Sequence, residues 1–377
     1  MVLLLCIILL RGKDVKNGGK FASGNGGIQQ PFCLRFDKMD AGGMNVKKII
    51  KQTILAAWMG LVLPGMALTL AVKQPRDNGD TTQPADQQTQ PGTSAVQTEG
   101  TVQPLQIAVL MEDGTVQQMD MDEYLTGVVL AEMPASFDIE AQKAQAVVAR
   151  TYALRRSTVS VKHEQNAVCT EASCCQGYIS PQRYAQSGGS ESGIEQIRQA
   201  VQQTSGQVLT YDGQLIEATY FSCSGGSTED AAAVWGTDIP YLQSTDSPGE
   251  EDAAHFEDSV FFSSSEFASR LGTSLWGSPD TWLGEVTYTD GGGVDTMEIG
   301  GEVYGGTQLR SLLGLRSTVF SMSAEADGIL VYTRGYGHRV GMSQYGAEAM
   351  AVAGSRYDEI LTHYYSGVVL QQYDPGD

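Results

Sequence analysis

With 377 residues the chain is long enough for two domains or one large one, and its net charge of −20 is unevenly spread. Residues 1–72 hold nine Lys/Arg against three Asp/Glu, a net of +6, so the remainder carries −26. An acidic body excludes nucleic-acid backbones as the partner and leaves room for a ligand read through local contacts, such as a glycan.

In chain order, residues 1–43 join a short apolar run, MVLLLCIILL, to a Gly-rich polar stretch without a clear period. Met44, Asn45, Val46 and the following lysines look like the start of an exported protein. Residues 1–43 are therefore expected to be an upstream reading-frame extension, the rival being a disordered cytoplasmic tail. Residues 53–72, TILAAWMGLVLPGMALTLAV, are uncharged and just long enough to span a bilayer as one transmembrane helix. Lys47, Lys48 and Lys51 precede this run, so residues 44–72 read as a membrane anchor that leaves the acidic body extracytoplasmic. Pro64 and Gly65 are tolerable within it. A signal peptide cleaved near Ala67 or Ala71 is the alternative. Residues 73–104, rich in Gln, Thr, Pro, Asp and Gly, read as a disordered tether.

The body is expected over residues 105–372. LQIAVLMEDGTVQQMDM predicts two strands about the Asp113-Gly114 turn. Glu132 closes an apolar run, and Pro134 then prevents the helix from continuing. Asp138 opens a second helix, with Glu140 in its first turn and Arg155 and Arg156 at its far end. Glu132 thus stands at a helix break, where a side chain can face a cleft. Lys143 and Arg150 are seven residues apart on the second helix and share a face. On spacing alone, a glutamate at a helix end is more often solvated or a structural ion-pair partner.

Further along, residues 194–203 predict a helix, and VLTYDGQLIEATYFS predicts a hairpin about Asp212-Gly213. SCSGGSTED is a small-residue loop leaving that hairpin. A short helix is expected over 266–271, strands over 282–288, 296–299 and 329–333, and closing helices over 343–352 and 357–365. Helices and hairpins mix without regular βαβ alternation, so the expected fold class is α+β with a central cleft.

One window, HEQNAVCTEASCC, gathers His163, Cys169, Cys174 and Cys175, the one-His, three-Cys composition of a structural Zn2+ site. The spacing is not that of a zinc finger, because adjacent cysteines rarely both ligate well. A disulfide from Cys169 to one of the pair, or reduced thiols, are the rival readings. Four ligands would close the shell and make the metal structural.

Three segments together, AEMPASFDIEAQKAQAVVARTYAL, TYFSCSGGSTED with VWGTDIPYL, and GYGHRVGMSQYGAEAMA with ILTHYYSGV, resemble the stage II sporulation protein D family. Its domain is shared with the amidase enhancer of the LytB type. The resemblance runs over about residues 105–370. It implies a lytic transglycosylase that cuts the β-1,4 bond between N-acetylmuramic acid and N-acetylglucosamine in peptidoglycan, leaving a 1,6-anhydro end. It further implies a preference for strands without stem peptides and a partner, stage II sporulation protein P. The setting would be the engulfment membrane complex, between mother cell and forespore. The family's catalytic glutamate matches Glu132, and family functional positions match Lys143 and Arg150. Some clostridial members carry zinc in the window of His163.

One carboxyl suits that chemistry. Ordinary glycosidases need a pair, whereas a lytic transglycosylase uses the sugar's own C6 hydroxyl as nucleophile. The single residue must start protonated, so burial should raise its pKa. Lys143 and Arg150 would oppose that shift at close range and are expected to position substrate instead. From the second and third segments, Ser222, Ser224, His338, Ser343, Gln344 and Tyr345 are expected along a sugar groove. The alternative for His338 and Gln344 is that they satisfy buried loop backbone. Competing functions are a non-catalytic glycan-binding activator of an amidase and a structural member of the engulfment complex.

Overall fold

The computed structural model describes residues 105–374. The expected leader, anchor and tether, residues 1–104, lie outside that range. No helix among the described residues is long and apolar enough to cross a membrane.

The body is α+β, as expected. β1 (Gln106–Leu110) and β2 (Val116–Asp120) pair antiparallel about the Asp113-Gly114 turn, where Asp113 accepts from Thr115 N at 2.9 Å. Asp120 then N-caps α1 (Met121–Glu132), accepting from the backbone N–H groups of Asp122 and Glu123. α1 stops at Glu132 because Met133 turns extended, at φ −134°, ahead of Pro134. Asp138 caps α2 (Ile139–Thr158) through Glu140 N at 2.8 Å.

α2 has no polar face over its middle, and residues 144–154 are all buried. Its run of alanines lets neighbours approach from every side, which is how a helix becomes a core. β3 (Val168–Cys169) pairs parallel with β1. α3 (Pro181–Gln186) and α4 (Glu191–Gln203) follow, and α4 packs its apolar stripe of Ile194, Ile197 and Val201 on α1 and α2. β4 (Gln207–Tyr211) turns at Asp212-Gly213 into β5 (Gln214–Leu215).

The predicted hairpin is therefore real but short. Its second arm leaves the ladder after two residues, and β6 (Tyr220–Phe221) pairs elsewhere. After α5 (Ala231–Trp235) the chain builds a second lobe. β7 (Glu257–Ser263) leads to α6 (Ser264–Leu271) and to a meander of β8 (Leu283–Tyr288), β9 (Val294–Ile299) and β10 (Glu302–Gly305). α7 (Gly306–Leu313) then precedes β11 (Val319–Glu325) and β12 (Gly328–Arg334), which joins β7. Phe267, Trp282, Ile299, Leu309 and Val331 belong to this lobe's own core. The chain returns through β13 (Met342–Ser343), parallel to β6, then α8 (Gln344–Val352), α9 (Tyr357–Tyr364) and β14 (Val369–Gln372), which pairs with β4.

The lobes meet at a buried ion pair. Arg339 Nη1 lies 2.7 Å from Glu229 Oε1, both side chains being 1% exposed. Arg339 also donates to the carbonyls of Ser224, Ser227 and Gly291. Glu229 accepts from Gly293 N and Thr289 Oγ1 of the second lobe. Gly293 has no room for a side chain, since a Cβ there would meet Glu229 Oε1 at 2.5 Å.

Candidate functional site

The end of α1, the loop before α3, β6 and the start of α8 converge on one cleft of about 480 Å³. Glu132 lies at its wall. The break at Met133-Pro134 keeps the carboxyl at a helix end, and Gly177 N donates to Oε1 at 2.7 Å. Gly177 is required by that contact, because a Cβ there would lie 2.9 Å from the same oxygen.

A polar chain stands behind the carboxyl. Tyr124 Oη donates to Gln176 Oε1 at 3.3 Å, and Gln176 Nε2 donates to Tyr220 Oη at 3.1 Å. The Tyr220 hydroxyl proton is thereby left free to face Glu132, and this interaction favours the charged form of the carboxyl. Gln344 also interacts with the carboxyl, although its Nε2 has no hydrogen-bond partner of good geometry. Burial raises the Glu132 pKa above the usual carboxylate value, against the opposing pull of Gly177, Tyr220 and Gln344. Burial also holds Tyr220 well above its ordinary value, so it remains a protonated donor.

His338 lines the same cleft. Burial, and then the charge of Arg310, push it down to about 4. Its Nδ1 accepts from Val340 N at 3.2 Å, so the neutral ring carries its proton on Nε2. Gly337 (φ +131°) and Gly341 (φ +83°) give the loop around it its shape.

Of the expected substrate contacts, Ser222, His338 and Gln344 line the cleft with Glu132. The structure does not bring the other five into that lining. Arg150 is 0% exposed and cannot touch a substrate. It donates to the carbonyls of Val201, Thr204 and Gln207 and pairs with Asp122 at 3.1 Å, closing the C-terminal end of α4. Lys143 pairs with Glu140 at 2.7 Å and lies over the Tyr357 ring, outside the cleft lining. Ser224 is fully buried and donates from both N and Oγ to Glu250. Ser343 is equally buried, N-capping α8 and donating to Glu250. Tyr345 packs edge-on against Phe137, with ring centroids 5.1 Å apart.

Sequence reasoning missed Tyr152, Arg156 and Tyr220 as cleft residues. Tyr152 and Arg156 share a helix face at i, i+4, a spacing that was available, but nothing local says which face of α2 meets a cavity.

His163, Cys169, Cys174 and Cys175 do come together, with ligand atoms all within 4.8 Å of one another. His163 Nε2 lies 3.5 Å from Cys174 Sγ and 3.6 Å from Cys175 Sγ. A tetrahedral zinc with ordinary Zn–S and Zn–N lengths would separate nitrogen and sulfur by about 3.5 Å, so the donor set fits the ion. The adjacent cysteines converge because their backbone N–H groups both turn back to the Glu171 carbonyl. Cys169, Cys174 and Cys175 are free thiols, and Cys174 and Cys175 form part of the cleft wall.

The arrangement defines a class: an α+β protein whose cleft lining holds one half-buried, pKa-raised carboxyl. The family model described as "SpoIID: Stage II sporulation protein" matches residues 112–211. Stage II sporulation protein D of Bacillus subtilis (strain 168) is 39% identical over 265 residues, covering 69% of this chain and 77% of that protein. Its counterpart in Bacillus amyloliquefaciens is 38% identical over 69% of this chain and 76% of its own. The amidase enhancer of Bacillus subtilis (strain 168) is 30% identical over 66% of this chain but 40% of its own length. The chain belongs to the stage II sporulation protein D family.

Proposed function

We propose that the protein is a peptidoglycan lytic transglycosylase acting in sporulation. The observation that carries the reading is Glu132, a carboxyl raised by burial and without a second carboxylate among the cleft-lining residues. A protonated Glu132 gives its proton to the glycosidic oxygen as the bond to C1 breaks. The C6 hydroxyl of the same sugar then bonds to C1 and returns its proton to Glu132. The 1,6-anhydro end forms, no water is consumed, and one residue serves both half-steps. Tyr220 and Gly177 hold the carboxyl in place, and neutral His338 is a cleft-wall donor or acceptor that leaves the pKa of Glu132 undisturbed by charge.

The same reading takes stage II sporulation protein P as partner. Residues 53–72 would serve as membrane anchor and 73–104 as tether, with the body working between mother cell and forespore. It assigns His163, Cys169, Cys174 and Cys175 to a structural zinc ion, which when bound would brace the loop forming one cleft wall. A second reading, a glycan-binding activator of an amidase, is favoured by the amidase enhancer relative.

Full-length protein and its Glu132→Gln variant, incubated with peptide-free glycan strands, separate the two. Loss of 1,6-anhydro products by roughly a hundredfold to ten-thousandfold is expected for a folded variant. Product from both at similar rates would overturn the role of Glu132, and product from neither, with amidase stimulation intact, would support the activator.

A further inference from the structure

Arg156 is a cation on the wall of the cleft whose acidic partner is shared with a second arginine. Arg155 and Arg156 share one acid, Glu217, with Arg155 Nε at 3.1 Å from Oε2 and Arg156 Nη2 against Oε1. Two guanidinium groups on one carboxylate leave a surplus of one positive charge. Arg155 spends its remaining capacity inside the fold, donating to the Leu215 carbonyl. Arg156 instead lines the cleft, with its guanidinium carbon 4.9 Å from the centre of the Tyr152 ring, and its buried Nε has no hydrogen-bond partner. Stacking on a tyrosine holds the guanidinium plane in one orientation, which lowers the ordering cost of binding a planar anion. The nearby His338 is neutral and Glu132 is protonated more readily than usual, so neither cancels an anion drawn to Arg156.

We infer that Arg156 is a specificity-determining residue that receives a carboxylate carried by the sugar in the cleft. This rests on the glycan reading above. On a peptidoglycan strand the fitting group is the free lactyl carboxylate of a muramic acid whose stem peptide is gone, since an amide at that position has no charge to offer. A neutral glycan would cover the two guanidinium groups with only Glu217 to balance them, leaving their surplus charge desolvated without a counterion, which is the penalty that discriminates.

Binding is measured with full-length protein carrying Glu132→Gln, so that cleavage plays no part. The probes are peptide-free strands and the same strands with their carboxylates converted to methylamides. The Glu132→Gln protein is expected to prefer the free carboxylate by on the order of tenfold or more, falling toward unity when Arg156→Gln is added and intermediate with Arg156→Lys. Equal binding of both strands by the Glu132→Gln protein, or a preference that survives Arg156→Gln, overturns the inference. Three thiolates around a zinc ion would leave a net −1 on the adjoining wall, so metal content is determined in the same samples. If Arg156→Gln loses preference and metal together, Arg156 serves the metal loop and the inference also falls. If carboxylate preference is found but wild-type protein cleaves nothing, the lytic reading fails and this one stands.

Discussion

Glu132 is held where it costs the fold something. Its folded pKa lies above the ordinary 4.5, with burial as the largest cause. A raised carboxyl pKa adds relative stability that is fully present below the unfolded value and is lost as pH rises through the folded value. At neutral pH the native state therefore carries part of the cost of a buried charge. Glu132→Gln removes that cost and can still accept from Gly177 N. Thermal melts should show the variant more stable than wild type at neutral pH, with the difference closing as pH falls toward 4.5. A variant less stable at neutral pH would mean that Tyr220 and Gly177 solvate the charged form well enough to outweigh burial. The same test separates catalysis from structure, since a stabilised but inactive protein cannot have lost activity by unfolding.

At the scale of elements, α2 is the axis around which the first lobe is arranged. Arg150 and Lys143 look alike in sequence, two cations on one helix face, yet one ties α2 to the end of α4 and the other meets the ring at the start of α9. The loop of His163 to Cys175 depends on a different kind of tie. It has little regular structure of its own, only the short helix Glu164–Asn166 and β3. A metal held by its four donors would supply the ordering that apolar burial does not. Elemental analysis of purified protein is expected to find about one zinc per chain. Chelation should lower the melting temperature and leave residual cleavage chemistry, because a closed shell offers no site to water. Metal-free protein with a Cys169 disulfide, seen by mass spectrometry, would decide for the rival.

Across the whole body, the Arg339–Glu229 pair is a buried polar connection between two separately packed cores. Arg339 is not glycine yet adopts φ +67°, a strained conformation that its five hydrogen bonds hold in place. Removing one partner of such a pair leaves an uncompensated buried charge. Glu229→Ala should cost about 3–5 kcal/mol in denaturant unfolding. Glu229→Ala combined with Arg339→Met should cost less than the sum of the single variants. Strict additivity would show that the two side chains do not act as a pair.

The residues alone determined what is local. Asp138 announces a helix start, Pro134 announces the break that exposes Glu132, and Asp113-Gly114 and Asp212-Gly213 announce turns, because capping and turn chemistry act within a few residues. The quartet of His163, Cys169, Cys174 and Cys175 was legible for the same reason: its ligands lie within thirteen residues of chain. Which polar groups face the cleft was not local. Lys143, Arg150, Ser224 and Ser343 turned inward to satisfy backbone carbonyls, Glu140 and Glu250, while Arg156 and Tyr220 turned toward the cavity. That choice depends on how α2 is rotated among its neighbours and on where β6 leaves its hairpin, and both are decided by packing between segments distant in sequence.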